Sequence, residues 1–151
     1  MASTCIGLIS DTHGLVRPQA LVALEGVDLI LHAGDVCGED VLPALAGIAP
    51  VLAVAGNCDD DPQLPAFVVH VVEGVRILLH HSHLPIDESL HQPNIVVTGH
   101  SHQPVIEQDG AVLRINPGSA GPRRFRLPVT VARLTICEGQ PRAELVELDG
   151  R

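Results

Sequence analysis

Short apolar runs alternate with helix-spaced ones through the first third of the chain. The run CIGLIS (5–10) has the length of a buried strand. It is followed by RPQALVALEG (17–26), a helical pattern with Pro18 near its start and Gly26 past its end. VDLILHA (27–33) predicts a second strand, GEDVLPALAGI (38–48) a second helix and VLAVA (51–55) a third strand. A β-α-β-α-β order implies parallel strands joined by right-handed crossovers.

From residue 66 the pattern changes. AFVVHVV (66–72) and VRILLH (75–80) flank Glu73-Gly74 and read as a hairpin. A short, weakly helical stretch (84–92) leads to the strand NIVVTG (94–99). PVIEQ and AVLRI then pair around Asp109-Gly110, and VTVARLTIC pairs with RAELVEL around Glu138-Gly139. Hairpins added to a βαβαβ start suggest two sheets packed face to face with helices outside. No repeat, low-complexity stretch or linker interrupts the pattern, so residues 1–151 are expected to form a single α/β domain.

Composition narrows the core. Apolar residues make up 46% of the chain, yet it has two Phe and no Trp or Tyr, so the interior must be built from Val, Leu, Ile and Ala. Eighteen acidic against nine basic residues, all Arg, give a formal charge of −9. Such an acidic chain, lacking a basic run and stacking aromatics, is a poor ligand for long nucleic acids. Two bound divalent cations would bring the charge to about −5, so part of the acidity suits a metal site. The four cysteines (Cys5, Cys37, Cys58, Cys137) form no C-x-x-C pair. A disulfide framework is possible by count, but a chain of this size folds without one. The first residues lack signal-peptide character and no apolar stretch reaches about 20 residues. The expectation is a soluble, reduced, cytoplasmic protein.

The chemistry lies in the residues just past each strand. CIGLIS ends in Asp11-Thr12-His13, LILHA in Gly34-Asp35 and VLAVA in Gly56-Asn57. RILLH ends in His81-Ser82-His83, and NIVVT in Gly99-His100-Ser101-His102. In open α/β sheets the ligand crevice lies at the carboxyl ends of the strands. Adjacent strands are about 4.8 Å apart, so these residues converge. The i, i+2 spacing of D-x-H and H-x-H aims both side chains one way if the segment stays extended. Gly14, Gly34, Gly56 and Gly99 permit tight turns and close approach. Carboxylate, amide and imidazole donors without thiolate suit Mn, Fe, Ni or Zn. About eight donors are too many for one such ion and sufficient for two, the arrangement used for attack on phosphorus.

At these residues the chain resembles the calcineurin-like metallophosphoesterase superfamily, and within it the small prokaryotic YfcE-like phosphodiesterases. The blocks D-x-H, G-D, G-N-C-D, H-x-H, G-H-x-H and N-P-G-S occur in order over residues 11–119. The resemblance implies a four-layer α/β/β/α sandwich of two mixed sheets with helices outside. It implies one metal on Asp11, His13, Asp35 and His102, and a second on Asp35, Asn57, His81 and His100. Asp35 would bridge the ions together with a hydroxide acting as nucleophile, which makes Asp35, Asn57 and His100 the catalytic core. Manganese is the first expectation, with Ni, Fe or Zn as alternatives.

Two departures bear on that reading. His81-Ser82-His83 stands where relatives usually have H-G-H, and neighbouring His80 competes with His81 for the ligand role. Cys58 occupies the position after the Asn where many superfamily phosphatases place a histidine general acid. A thiol replaces it poorly, so good leaving groups are expected to be cleaved best. Cys58 and His83 are candidates to face substrate, and His32 to orient Asp35. His70 and His91 read as structural or solvated. Asn116-Pro117-Gly118-Ser119 reads as a turn supporting the site. Arg123, Arg124 and Arg126 read as a solvated loop, with a distal phosphate or a subunit partner in a homo-oligomer as the other readings. The short stretch between His83 and Asn94 would leave the site open to varied small phosphate esters. The leading function is thus a phosphodiesterase for small diesters. The alternatives are a phosphomonoesterase or nucleotidase at the same centre and, as in a retromer subunit of this fold, a non-catalytic partner-binding scaffold.

Overall fold

The computed structural model describes residues 3–124 and 126–148. The strands are β1 (Ser3–Ile9), β2 (Leu29–His32), β3 (Val51–Ala53), β4 (Phe67–Val72), β5 (Val75–His80), β6 (Ile95–Val97), β7 (Val105–Asp109), β8 (Val112–Asn116), β9 (Thr130–Cys137) and β10 (Gln140–Glu147). They form two mixed five-stranded sheets, ordered β10-β9-β1-β2-β3 and β4-β5-β6-β8-β7.

Register brings the strand ends into line. Ile9 pairs with His32 and His32 with Ala53, so the segments after β1, β2 and β3 leave the first sheet side by side. In the second sheet Leu79 pairs with Val97 and Val97 with Ile115, and the segments after β5, β6 and β8 leave in the same manner.

Between the sheets lies an aliphatic core. Ile6, Leu8 and Leu31 from one side pack in a cluster with Ile77, Leu79, Ile95, Val97 and Ile115 from the other. Each such side chain, once fully buried, contributes about 1.5–3 kcal/mol. A second cluster covers the outer face of the first sheet, where Ile9 and Ile30 meet Leu24, Val41 and Leu45. It is held by helices α1 (Pro18–Ala23) and α2 (Val41–Ala46). Both helices are shorter than the apolar spacing over 17–26 and 38–48 predicts. Neither Arg17 nor Asp40 makes a side-chain capping bond, and beyond α1 the chain turns tightly to Gly26 at φ +82°.

The outer helical layer on the second sheet is reduced to one 3-10 turn, Glu88–His91. It is latched by charge rather than by burial. The Glu88 carboxylate accepts from Arg114 Nη2 at 2.7 Å and bonds His80 Nε2 at 2.9 Å. That pairing with Arg114, and then with His80, holds the Glu88 carboxyl below its usual range. In that sheet Leu78 and Val96 are buried, while Phe67 and Val71 of β4 and Leu90 of the turn remain exposed. Among the described residues no helix is long and apolar enough to cross a membrane.

Candidate metal centre

Where the five segments leave the two sheets, their backbones first bond to one another. Asp11 N–H donates to Gly34 O (2.9 Å), His13 N–H to Asp35 O (3.0 Å) and Gly14 N–H to Val36 O (2.8 Å). The loops after β1 and β2 therefore run together beyond the sheet.

Their conformation differs from the extended one expected for D-x-H and H-x-H. Asp11, His13, Asp35, His100 and His102 all have left-handed backbones, with φ between 47° and 73°. Side chains two residues apart converge because the chain coils beneath them. Asp and His tolerate this region better than most residues do. Glycines permit the close approach: a Cβ at Gly56 would collide with Asp35, and one at Gly34 would come within 2.7 Å of His81 Nδ1.

The resulting cluster holds all seven sequence-expected donors. Asp35 Oδ2 lies 3.5 Å from His13 Nε2 and 3.4 Å from His81 Nε2. Asp11 Oδ1 lies 3.4 Å from His102 Nε2 and 4.0 Å from His13 Nε2. Asn57 Oδ1 lies 3.0 Å from His81 Nε2 and 3.1 Å from His100 Nδ1, and those two nitrogens are 3.3 Å apart.

Protonation decides what these contacts are. His81 Nδ1 donates to Ala33 O at 2.8 Å, which leaves a lone pair on Nε2. Asp35 Oδ1 accepts from Cys58 N–H at 3.0 Å, leaving Oδ2 to face the cluster. Asp11 Oδ2 accepts from Ser10 Oγ and from His100 N–H, leaving Oδ1 in the same position. Asp11 Oδ1 and His13 Nε2 are buried without a hydrogen-bond partner. Such orphaned acceptors cost roughly 1–3 kcal/mol each unless a cation joins them. Donors at about 2.1 Å from one ion and at right angles are themselves about 3 Å apart, close to the spacings found here. The residues present therefore fit divalent cations.

His80 and His81 are told apart by direction. His81 enters the cluster, whereas His80 points to the opposite face and binds Glu88. His83 sits at the rim, its ring 5.2 Å from His81 and 6.5 Å from His100. Partial burial and the neighbouring His81 push its pKa down. The pKa of His102 is also lowered, chiefly by burial, against the pull of Asp11.

His32, a candidate to orient Asp35, makes its contacts elsewhere. Its Nδ1 accepts from Gly34 N–H at 3.1 Å, so Nε2 donates to Thr12 Oγ1 at 3.0 Å. Thr12 in turn donates to Val36 O. His32 thus joins the Asp11 loop to the Asp35 loop, and burial pushes its pKa down to about 4. Asn116 braces the loop after β6 by donating to Gly99 O and Ser101 Oγ, and Ser119 Oγ donates to Asp11 O. His70 is half-buried in β4, and His91 packs on Phe67. Arg123, Arg124 and Arg126 are exposed.

Two features escaped sequence reasoning. Asp59 accepts from the N–H groups of Val36 (3.1 Å), Cys37 (2.8 Å) and Gly56 (2.9 Å), tying the loop after β2 to that after β3. Its only signal was its place in the G-N-C-D block. Cys37 and Cys58 form a disulfide, with Cα atoms 6.2 Å apart, and this corrects the expectation of four reduced thiols. Cys5 and Cys137 are free.

The calcineurin-like phosphoesterase superfamily domain matches residues 5–139 of this chain. The chain belongs to that superfamily. Hydrolysis of phosphoric esters, assisted by divalent metal, is accordingly its activity class. A probable metallophosphoesterase of Methanothermobacter thermautotrophicus is 33% identical, over 96% of this chain and 86% of the relative. Phosphodiesterase YfcE of Escherichia coli is 34% identical, over 73% of this chain and 76% of the relative. The solved structure of E. coli YfcE superposes with a TM-score of 0.72 at 25% identity, covering 96% of this chain and 100% of that one. Zinc-complexed Vps29 from Entamoeba histolytica shares the fold, with a TM-score of 0.75 at 23% identity over 95% of this chain and 98% of its own.

Proposed function

We propose that this chain is a phosphodiesterase for small phosphodiesters, working through two divalent cations, manganese first. The observation that carries the reading is the convergence of carboxylate, amide and imidazole donors on one point, with Asp11 Oδ1 and His13 Nε2 buried there without a hydrogen-bond partner. Asp11, His13, Asp35 and His102 form one donor set, and Asp35, Asn57, His81 and His100 the other. Asp35 Oδ2 faces a histidine of each set at 3.4–3.5 Å, which suits it to be shared.

Bound together, two divalent cations supply an activated water as nucleophile and neutralise phosphoryl charge. The chain's own contribution is to hold the donors before any cation arrives. Ala33 O fixes the His81 tautomer, Cys58 N–H turns Asp35, and Ser10 with the His100 N–H turns Asp11. His100 is exposed at the mouth, where it meets both Asn57 and solvent.

Leaving-group chemistry favours activated diesters. Cys58, locked in a disulfide, has no proton to give. Partial burial lowers the pKa of His83, which reduces the protonated fraction able to serve the departing alcohol.

The test is hydrolysis of bis-p-nitrophenyl phosphate beside p-nitrophenyl phosphate by metal-stripped protein given Mn²⁺, Ni²⁺, Zn²⁺ or Mg²⁺. Diester turnover restored by metal, and at least ~10³-fold lower in Asp35→Asn, is the expected result. Cleavage of the monoester alone would transfer the site to phosphomonoesters. Metal binding without cleavage of either would favour a partner-binding scaffold.

A further inference from the structure

We infer that the Cys37–Cys58 disulfide is a redox-controlled brace that sets how tightly the donor cluster holds its cations. The inference rests on the proposed metal centre. Cys37 follows Asp35 by two residues and Cys58 follows Asn57 by one, so the crosslink joins the two loops that present those donors. The same pair touches a third donor. Both sulfurs lie 3.8 Å from His13 Nδ1, while His13 Nε2 faces Asp35 Oδ2.

A metal-holding histidine is ordinarily oriented by a partner on its other nitrogen, and here that partner is the sulfur pair. The backbone adds to the case. Asp35 and Cys37 sit at φ +56° and +58°, a region that residues with side chains leave when nothing holds them there. The crosslink opposes that relaxation, and Cys58 N–H meanwhile holds Asp35 Oδ1. The Asp59 carboxylate spans the same two loops, so opening the disulfide loosens them without dissolving them.

The bond is also within reach. Cys58 is exposed, Cys37 is half-buried, and both line an open cavity of about 550 Å³. A small dithiol would deliver two electrons and two protons, giving Cys37–SH and Cys58–SH, and would depart as its own disulfide. A small-molecule disulfide would reverse this through a mixed disulfide on one of the two cysteines, releasing two thiols as the Cys37–Cys58 bond forms. The cations need not take part in either exchange.

The test is Mn²⁺ affinity, measured by competition with a chromophoric chelator on the full chain before and after reduction. Reduction should weaken binding 10–100-fold, the usual effect of losing a partner behind a metal ligand, and a small disulfide should restore it. Cys37→Ser and Cys58→Ser should hold the weak value under both conditions. The Cys5→Ser/Cys137→Ser double variant should respond as the parent does, and circular dichroism should report the same fold throughout. Unchanged affinity in the parent after thiol titration confirms reduction would overturn the brace, as would an equal redox response in Cys37→Ser. Hydrolysis that is metal-restored beside such unchanged affinity would sink the brace alone. Absence of Mn²⁺ binding in both redox states would sink the metal centre together with it.

Discussion

The two ends of the sandwich use the same unusual backbone for opposite reasons. At the hairpin end, Glu73-Gly74 and Glu138-Gly139 take positive φ to reverse the chain, as two-residue hairpin turns require. Gly74 and Gly110 have open space where a Cβ would stand, so they serve conformation alone. At the donor end, left-handed φ falls on Asp11, His13, Asp35, His100 and His102, the residues proposed to hold the cations. The glycines beside them make room instead. Each hairpin turn thus shares its positive φ with a glycine, whereas at the other end the proposed donors carry it themselves.

Substitutions can break this comparison, and the donor end should suffer most. Gly56→Ala would drive a Cβ into the Asp35 backbone and carboxylate, for a loss of about 3 kcal/mol or more in urea unfolding. A loss below roughly 1 kcal/mol would mean that the two loops can part. The pH dependence should be nearly as large. With a folded pKa of about 4 against 6.5, His32 takes up its proton sooner in the unfolded chain. Its contribution is complete above pH 6.5 and fades as pH falls toward 4, by roughly 3 kcal/mol at about 1.4 kcal/mol per unit. Metal-free urea titrations should show that slope in the parent and a shallower one in His32→Asn; parallel curves would refute the assignment.

Smaller effects test the backbone itself. Gly74→Ala meets no neighbour, so its cost should be only conformational, about 1 kcal/mol. Ser82 lies at φ +84°, a conformation that glycine adopts without steric cost. Ser82→Gly should therefore be neutral or stabilise by roughly 0.5 kcal/mol, an opposite sign that a thermal melt would reveal.

Sequence made one side of this contrast legible and hid the other. Asp, Asn and His after successive apolar runs pointed to the donor end, because strand periodicity and parallel order bring such residues together. The left-handed coiling of D-x-H and H-x-H could not be read, since spacing does not distinguish an extended chain from a coiled one. Apolar spacing likewise overran both helices, for the same residues continue to pack after the helix has become a turn. His81 was separable from His80 by pattern, but the reason is register: alternation sends His80 to the outer face, where Glu88 waits. Asp59 stayed silent because its three bonds are all to backbone N–H groups brought together by two separate crossovers. The thin cover on the second sheet was equally hidden. One carboxylate between His80 and Arg114 replaces a helix there, and no periodicity announces an ion pair.

An interior built from aliphatic side chains has an optical consequence. With no Trp or Tyr and two Phe, the chain barely absorbs in the near ultraviolet and has no indole or phenol emission. Light in that range passes to whatever occupies the site. A nitrophenyl ester, a nucleobase or a single tryptophan introduced at the rim would be seen against a nearly dark protein.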